Sequence, residues 1–209
     1  FITGEEEKDI SFEKDLLSLF PNLNCYAFDG TINSLPPNNI RKLKFIKKNL
    51  GNYNDEQTTN LYKYMKYFNN IFMKIDIEGH EFRLMPSIIE NNFMNKIKQL
   101  VIEIHSPADI ELFPDYFKGL SDIKNEDMFN LFKKINETHT LVHLHANNGC
   151  KMNTIEGINI PHVFELTYIR NEFISEKIKN KNQLPTPLDM PNIPSKIDYI
   201  LKGFPYSNN

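Results

Sequence analysis

The sequence predicts an α/β fold: a mostly parallel sheet with helices on both faces and an antiparallel last strand. Three observations carry this. Short apolar runs alternate with segments of helical period along most of the chain. The stretch Ile71-Phe72-Met73-Lys74-Ile75-Asp76-Ile77-Glu78-Gly79-His80-Glu81-Phe82 ends an apolar run on an acid and turns at once into a helical pattern. A buried parallel strand delivers charged side chains to the carboxyl edge of its sheet in this way, and such edges bind ligands. Finally, no helix fits between the last two strand patterns, so those strands pair antiparallel, across a loop that is long for a hairpin.

The elements follow in order. Phe1-Ile2-Thr3 reads as the tail of a first strand, with Gly4 opening a loop. Ser11 to Phe20 reads as a helix with Phe12, Leu16, Leu17 and Phe20 on one face and Pro21 as its stop. Asn24 to Phe28 is a strand ending at Asp29-Gly30, Pro36-Pro37 marks a loop, and Leu43 to Lys47 is a further strand in a segment that Gly51 closes. Asp55 to Phe68 reads as a helix with Leu61, Met65 and Phe68 inward. After the strand ending at Asp76, a helix runs from His80 to about Asn91. A strand follows over Leu100 to His105, stopped by Ser106-Pro107, then a helix over Glu126 to Ile135. The closing strands are Thr140 to His145 and Val163 to Ile169. The reading is a single domain over 1–209, with 180–209 as an irregular, Pro- and Asn-rich wrap. The chain opens on Phe1 rather than Met, as an excised domain or a tag-cleaved protein would.

The chain has 209 residues, 40% hydrophobic and 24% charged, which is the composition of an ordinary globular domain. A net charge of -3 argues against nucleic acid as the main partner. No apolar run is long enough to span a bilayer, and the expected location is cytoplasmic. Cys25 and Cys150 form no metal or disulfide framework and read as two reduced thiols.

A mostly parallel sheet closed by an antiparallel strand is the Rossmann-like arrangement of class I S-adenosylmethionine-dependent methyltransferases. The motifs narrow this. Lys74-Ile75-Asp76-Ile77-Glu78-Gly79-His80-Glu81 resembles the Lys-Ile-Asp-Val-Glu-Gly-His/Ala-Glu signature of the FkbM-type methyltransferases. Asp9-Ile10-Ser11-Phe12-Glu13 is similar to the segment after their first glycine loop, and Tyr26-Ala27-Phe28-Asp29 to their second-strand acid motif. Leu141-Val142-His143-Leu144-His145-Ala146-Asn147-Asn148 and Pro161-His162-Val163-Phe164-Glu165-Leu166-Thr167-Tyr168 resemble later elements of the same group. The family places a glycine-rich turn after the first strand; here Gly4 stands alone before Glu5-Glu6-Glu7-Lys8.

The resemblance implies an O-methyltransferase that uses S-adenosylmethionine and acts on a sugar hydroxyl of a glycan or glycosylated metabolite, with a glycosyltransferase as a possible attached or partner protein. The open alternatives are a non-sugar acceptor or a methyltransferase-like binding domain without catalysis. The resemblance puts the cofactor against Thr3, Gly4, Ser11, Phe12, Asp29, Gly30 and Asp76. Asp29 is the acid for the ribose hydroxyls, or else an Asp-Gly turn. Backbone N–H groups near Gly4 and Ser11 suit the methionine carboxylate. Asp76, or one of Glu5 to Glu7, suits the ammonium.

Transfer to a hydroxyl needs a group that removes its proton. The candidates are Asp76, Glu78, His105 and His145, with His105 first and His145 in reserve. Asp76 and Glu78 lie two apart, so a strand running through both aims them to one face; otherwise they cap the next helix. Glu103 shares a face with His105, and His143 with His145. His80, Asn147 and Asn148 are the candidate acceptor-binding residues, the asparagines serving otherwise as a strand-ending turn. A carboxylate–histidine set suits a divalent cation, but the spacing matches no dedicated metal motif.

Overall fold

A computed structural model describes residues 1–4, 10–36 and 41–208. Glu5, Glu6, Glu7, Lys8, Asp9 and Pro37, which figure in the expectations above, lie outside the described residues. The chain divides into two compact units, 1–100 and 101–209.

The first unit holds β1 (Ile2–Gly4), α1 (Ser11–Leu19), β2 (Cys25–Phe28), β3 (Leu43–Ile46), β4 (Asn49–Leu50), β5 (Thr58–Thr59), α2 (Tyr62–Met65), β6 (Ile71–Ile75) and α3 (Glu81–Glu90). The long strand β7 (Ile97–His105) leads into the second unit. There α4 (Pro107–Leu112), α5 (Asn125–Thr138), β8 (His139–Ala146), β9 (Met152–Ile155), β10 (Ile158–Pro161) and β11 (Val163–Arg170) follow. The main sheet has seven strands in the order β3-β2-β1-β6-β7-β11-β8. The pairs β1–β2, β1–β6 and β2–β3 are parallel, and β11 closes antiparallel on β8. The fold is therefore α/β with a mostly parallel sheet, as the alternating pattern predicts. No helix among the described residues is long and apolar enough to cross a membrane, and both cysteines are free thiols.

Several elements differ from expectation for local reasons. In α1 the inward residues are Glu13 and Leu17, an i, i+4 pair, whereas Phe12 and Phe20 are exposed. Phe12 lies over Phe1 and Phe72, with ring centroids 5.8 and 6.0 Å away. The helix expected from Asp55 shrinks to α2. Asp55 Oδ1 accepts the N–H groups of Gln57 and Thr58 in an Asx turn, β5 pairs with β4, and Leu61 takes a left-handed φ of 63°. Leu61 and Met65 are still buried, so the inward stripe holds while the helix does not. The loop between the last two main strands contains an unexpected hairpin, β9–β10, turned by Glu156 and Gly157, both with positive φ.

The turn after β6 matters most for function. The strand stops at Ile75, so Asp76 and Glu78 do not alternate as strand neighbours. Glu78 (φ 53°) and Gly79 (φ 84°) are both left-handed, and the His80 N–H returns to the Ile77 carbonyl. Buried Glu81 reaches back to this turn, its Oε1 accepting the Ile77 N–H at 2.7 Å. Glu81→Ala leaves that buried donor without this acceptor and should cost about 1–3 kcal/mol. At about 2–4 °C per kcal/mol for a chain this long, a melt shows the loss, and Glu81→Gln, which keeps an acceptor oxygen, should recover much of it.

Candidate functional site

Two polar constellations stand out, one in each unit. In the first unit a cavity of about 410 Å³ opens where β2 ends, lined among others by Phe28, Asp29, Asn49, Tyr53, His80 and Arg83. Asp29 is buried. Its Oδ1 accepts both the N–H (2.7 Å) and the hydroxyl (2.6 Å) of Thr31, the turn that an Asp-Gly pair favours. Its Oδ2 is buried with no hydrogen-bond partner among the described residues. One oxygen thus builds the turn and the other is left to accept from something else. Gly30 is required here, because a Cβ would fall 2.7 Å from the Asn49 backbone nitrogen and 2.1 Å from its side-chain oxygen. Burial, and then the Arg83 guanidinium, push His80 below the ordinary imidazole range, so it is neutral at pH 7. The cavity offers a carboxylate oxygen, a neutral imidazole, a guanidinium, an amide and two aromatic rings. That set suits a polar, hydroxyl-bearing ligand with a flat apolar part.

Of the expected cofactor residues, Asp29 and Gly30 line this cavity; Thr3, Gly4, Ser11, Phe12 and Asp76 do not. Gly4 is the last residue of β1, paired with Phe28 and Ile75, and a Cβ on it would meet Leu50 Cδ1 at 2.3 Å. Thr3 is buried in the strand, and Ser11 is exposed at the start of α1. Asp76 and Glu78 are half-buried, and the Asp76 N–H is bound to the Gly4 carbonyl at 2.9 Å. His80 lines the cavity.

The second unit carries a chain of carboxylates and imidazoles. Ser106 caps α4 and Pro107 opens it, which places Asp109 one turn beyond the end of β7. Asp109 Oδ2 then holds His105 Nδ1 at 2.8 Å, while His105 Nε2 lies 3.3 Å from Glu103 Oε1. His162 Nδ1 stands 3.5 Å from the other Asp109 oxygen. Glu103 also accepts from Asn147 at 3.5 Å and hydrogen-bonds to Glu165. Glu165 holds His145 Nδ1 at 2.8 Å, and Asp198 holds its Nε2 at 3.0 Å. The Glu165 hydrogen bond pushes His145 up against the pull of burial; with Asp198 added, its pKa reaches about 9. Burial alone would raise Glu165, but hydrogen bonds from His145 and Asn192 outweigh it and hold the carboxyl below its ordinary range. Among the described residues no group of three or more His, Cys, Asp or Glu is arranged to hold a metal ion.

Carboxylates stand at both nitrogens of His145, which is an imidazolium at neutral pH. His105 is held through Nδ1 by Asp109, while its Nε2 faces Glu103 Oε1 at 3.3 Å. Asn148 is buried, its amide donates to the Ile193 and Lys196 carbonyls, and its oxygen accepts the Ile193 N–H, which pins the C-terminal stretch. Asn147 caps the turn at Gly149 through its oxygen and reaches Glu103 through its nitrogen.

The residues the sequence reading missed are Asn49, Tyr53 and Arg83 in the cavity, and Asp109, His162, Glu165, Asp189 and Asp198 in the second unit. Asp109 had a signal, standing three residues after a Ser-Pro helix start. The tail acids had none, because nothing local ties Asp198 to His145 across 53 positions. No protein-family model matches this chain, and no curated protein matches it.

The raised His145 pKa fixes a pH dependence. A folded pKa of about 9 against an ordinary 6.5 means the stabilisation is complete below pH 6.5 and is lost as pH rises through 9. The melting temperature should therefore fall between those values, and the 180–208 stretch should become more open to protease. His145→Gln should flatten that slope.

Proposed function

We propose that this chain is an S-adenosylmethionine-dependent O-methyltransferase of class I, Rossmann-like architecture, acting on a sugar hydroxyl of a glycan or glycosylated metabolite. The observation that carries the reading is Asp29. It ends β2, lines the cavity, and keeps one buried carboxylate oxygen without a donor. A ribose hydroxyl supplies such a donor. The FkbM-like motifs at 74–81 and 141–148, and the antiparallel closing strand, support the same reading.

On this reading the ribose binds Asp29, with Phe28 and Tyr53 as the apolar surface for the adenine and Asn49 as its polar neighbour. The sulfonium of the cofactor supplies an activated methyl group. The chain's own work is to align the acceptor and take its proton. Asp76 and Glu78 are the acids available for this in the unit that holds the cavity. One observation favours a second reading, a methyltransferase-like binding domain without catalysis: Leu50 covers Gly4, where the family keeps an open glycine turn.

Calorimetry with S-adenosylmethionine and a methyl-transfer screen over nucleotide sugars and oligosaccharides separate these readings. Binding with transfer supports the enzyme, binding without transfer to any acceptor supports the second reading, and no binding overturns both. Asp29→Ala should weaken cofactor binding by about 1.5–3 kcal/mol in a protein that still folds. Asp76→Asn and Glu78→Gln should each lower transfer about tenfold or more, about 1.4 kcal/mol of barrier, with little loss of thermal stability. Full activity in both folded variants removes these acids from the proton transfer.

A further inference from the structure

A second cavity of the first unit lies at the opposite edge of the sheet from Asp29. Strands β1, β2 and β6 run parallel, and Asp29 and His80 follow the carboxyl ends of β2 and β6. The second cavity, of about 290 Å³, is built at their amino ends. Asn22 and Asn24 line it from just before β2, and Asn69 and Asn70 from just before β6, together with the rings of Tyr26 and Tyr67. Ligands of parallel α/β sheets gather at the carboxyl edge, so the site around Asp29 does not account for this cavity.

Its lining is polar and uncharged. Among the described residues that line it there is no Lys, Arg, His, Asp or Glu side chain. The Phe1 amino group at this edge donates to the Asn24 carbonyl at 2.8 Å. The four asparagines are exposed, and among the described residues their side-chain amides have no hydrogen-bond partner. Other asparagine amides are tied into the fold, as Asn54 is to Asn60, Asn91 to the Ser87 carbonyl and Asn148 to the Ile193 carbonyl. Backbone conformation explains one of the four: Asn70 takes a left-handed φ of 59°, which asparagine tolerates. Asn22, Asn24 and Asn69 meet no such demand. Tyr26 packs on Phe68, with ring centroids 4.9 Å apart, and brings apolar surface to the cavity. Tyr67 is 75% exposed, with Lys66 Nζ 4.7 Å from its ring centroid, so much of the ring stays open to a ligand.

We propose that this cavity binds an uncharged sugar, as a mono- or disaccharide unit. A sugar hydroxyl both donates and accepts, as a side-chain amide does, so neighbouring hydroxyls match neighbouring asparagines. The apolar C–H face of a sugar ring packs on tyrosine, whose ring is apolar and whose hydroxyl is polar. An ionised ligand would find no counter-charge in the lining. The volume is at the small end for a ligand site, which suits a short sugar. This site shares no residue with the methyl-transfer reading and does not depend on it.

The test is saturation-transfer NMR of the full chain with the methyl glycosides of glucose, galactose, mannose and N-acetylglucosamine. We expect binding of at least one of them, with an affinity that salt leaves unchanged because no charge takes part. Tyr67→Ala should weaken it about fivefold or more, and Asn22→Ala/Asn69→Ala about tenfold. Both variants should melt like the parent, since they remove exposed side chains. Asp29→Ala should bind the glycoside as the parent does. Binding that is lost in Asp29→Ala and kept in Tyr67→Ala puts the sugar in the other cavity and overturns the proposal. So does undiminished binding in both amino-edge variants, or no binding of any glycoside far above millimolar concentration. Calorimetry with S-adenosylmethionine reads the methyl-transfer proposal separately, so either can fail without the other.

Discussion

The grip of Glu165 and Asp198 on His145 organises the second unit. A buried imidazolium is costly unless carboxylates meet both of its nitrogens. One of those carboxylates comes from the neighbouring strand β11, and the other from the C-terminal stretch. The stretch without regular structure is thereby fixed over β8, with Asn148 pinning Ile193 and Lys196 and the small cluster of Ala146, Leu184 and Leu201 beneath it. The same charge sets the state of its neighbours. Glu165 stays ionised because His145 does.

The first unit solves a different problem, bringing backbone close to backbone at the strand ends. Gly30 passes the Asn49 amide too closely for any side chain, and Leu50 packs where Gly4 has none. The two left-handed residues after β6 then turn the chain within four positions, so that His80 and Arg83 enter the cavity from the start of α3. Glu78 has no glycine's freedom there. Its left-handed backbone carries a small strain, and the buried Glu81 carboxylate bound to the Ile77 N–H helps to hold the turn. Neutral His80 follows from the same packing, because it is half-buried and sits beside a guanidinium.

The sheet was legible wherever a strand is buried on both faces, as in Ile71 to Ile75 and Leu100 to His105, because the apolar run itself is the signal. Legibility failed where a side chain redirected the backbone. Asp55 reads as a helix N-cap, yet its carboxylate closes an Asx turn on Thr58 and sends the chain into β5. The β9–β10 hairpin had a signal in Glu156-Gly157 between two alternating runs, but the loop-like composition around it masked the pairing. The positions of Asp29, His80, His105 and His145 at element ends were legible. The carboxylates facing the last two were not, because they arrive from as far as Asp198.

The acids of this chain separate its structural from its functional places. Glu165, Asp189 and Asp198 each hold an imidazole, Asp109 holds one through Oδ2, and exposed Asp55 holds two backbone N–H groups. Among the described residues, both oxygens of Glu13, Oδ2 of Asp29 and Oδ1 of Asp109 are buried without a hydrogen-bond partner, a condition that costs free energy in each case. Asp109 Oδ1 faces His162 Nδ1 at 3.5 Å; Glu13 and Asp29 remain. The two differ in what can reach them. Glu13 lies on the inward face of α1 and lines no described cavity, so its cost is borne by the fold. Asp29 opens on about 410 Å³ of polar space. There a ligand can supply the missing donor and recover the cost on binding, which is why a hydroxyl-bearing ligand is assigned to Asp29 and none to Glu13.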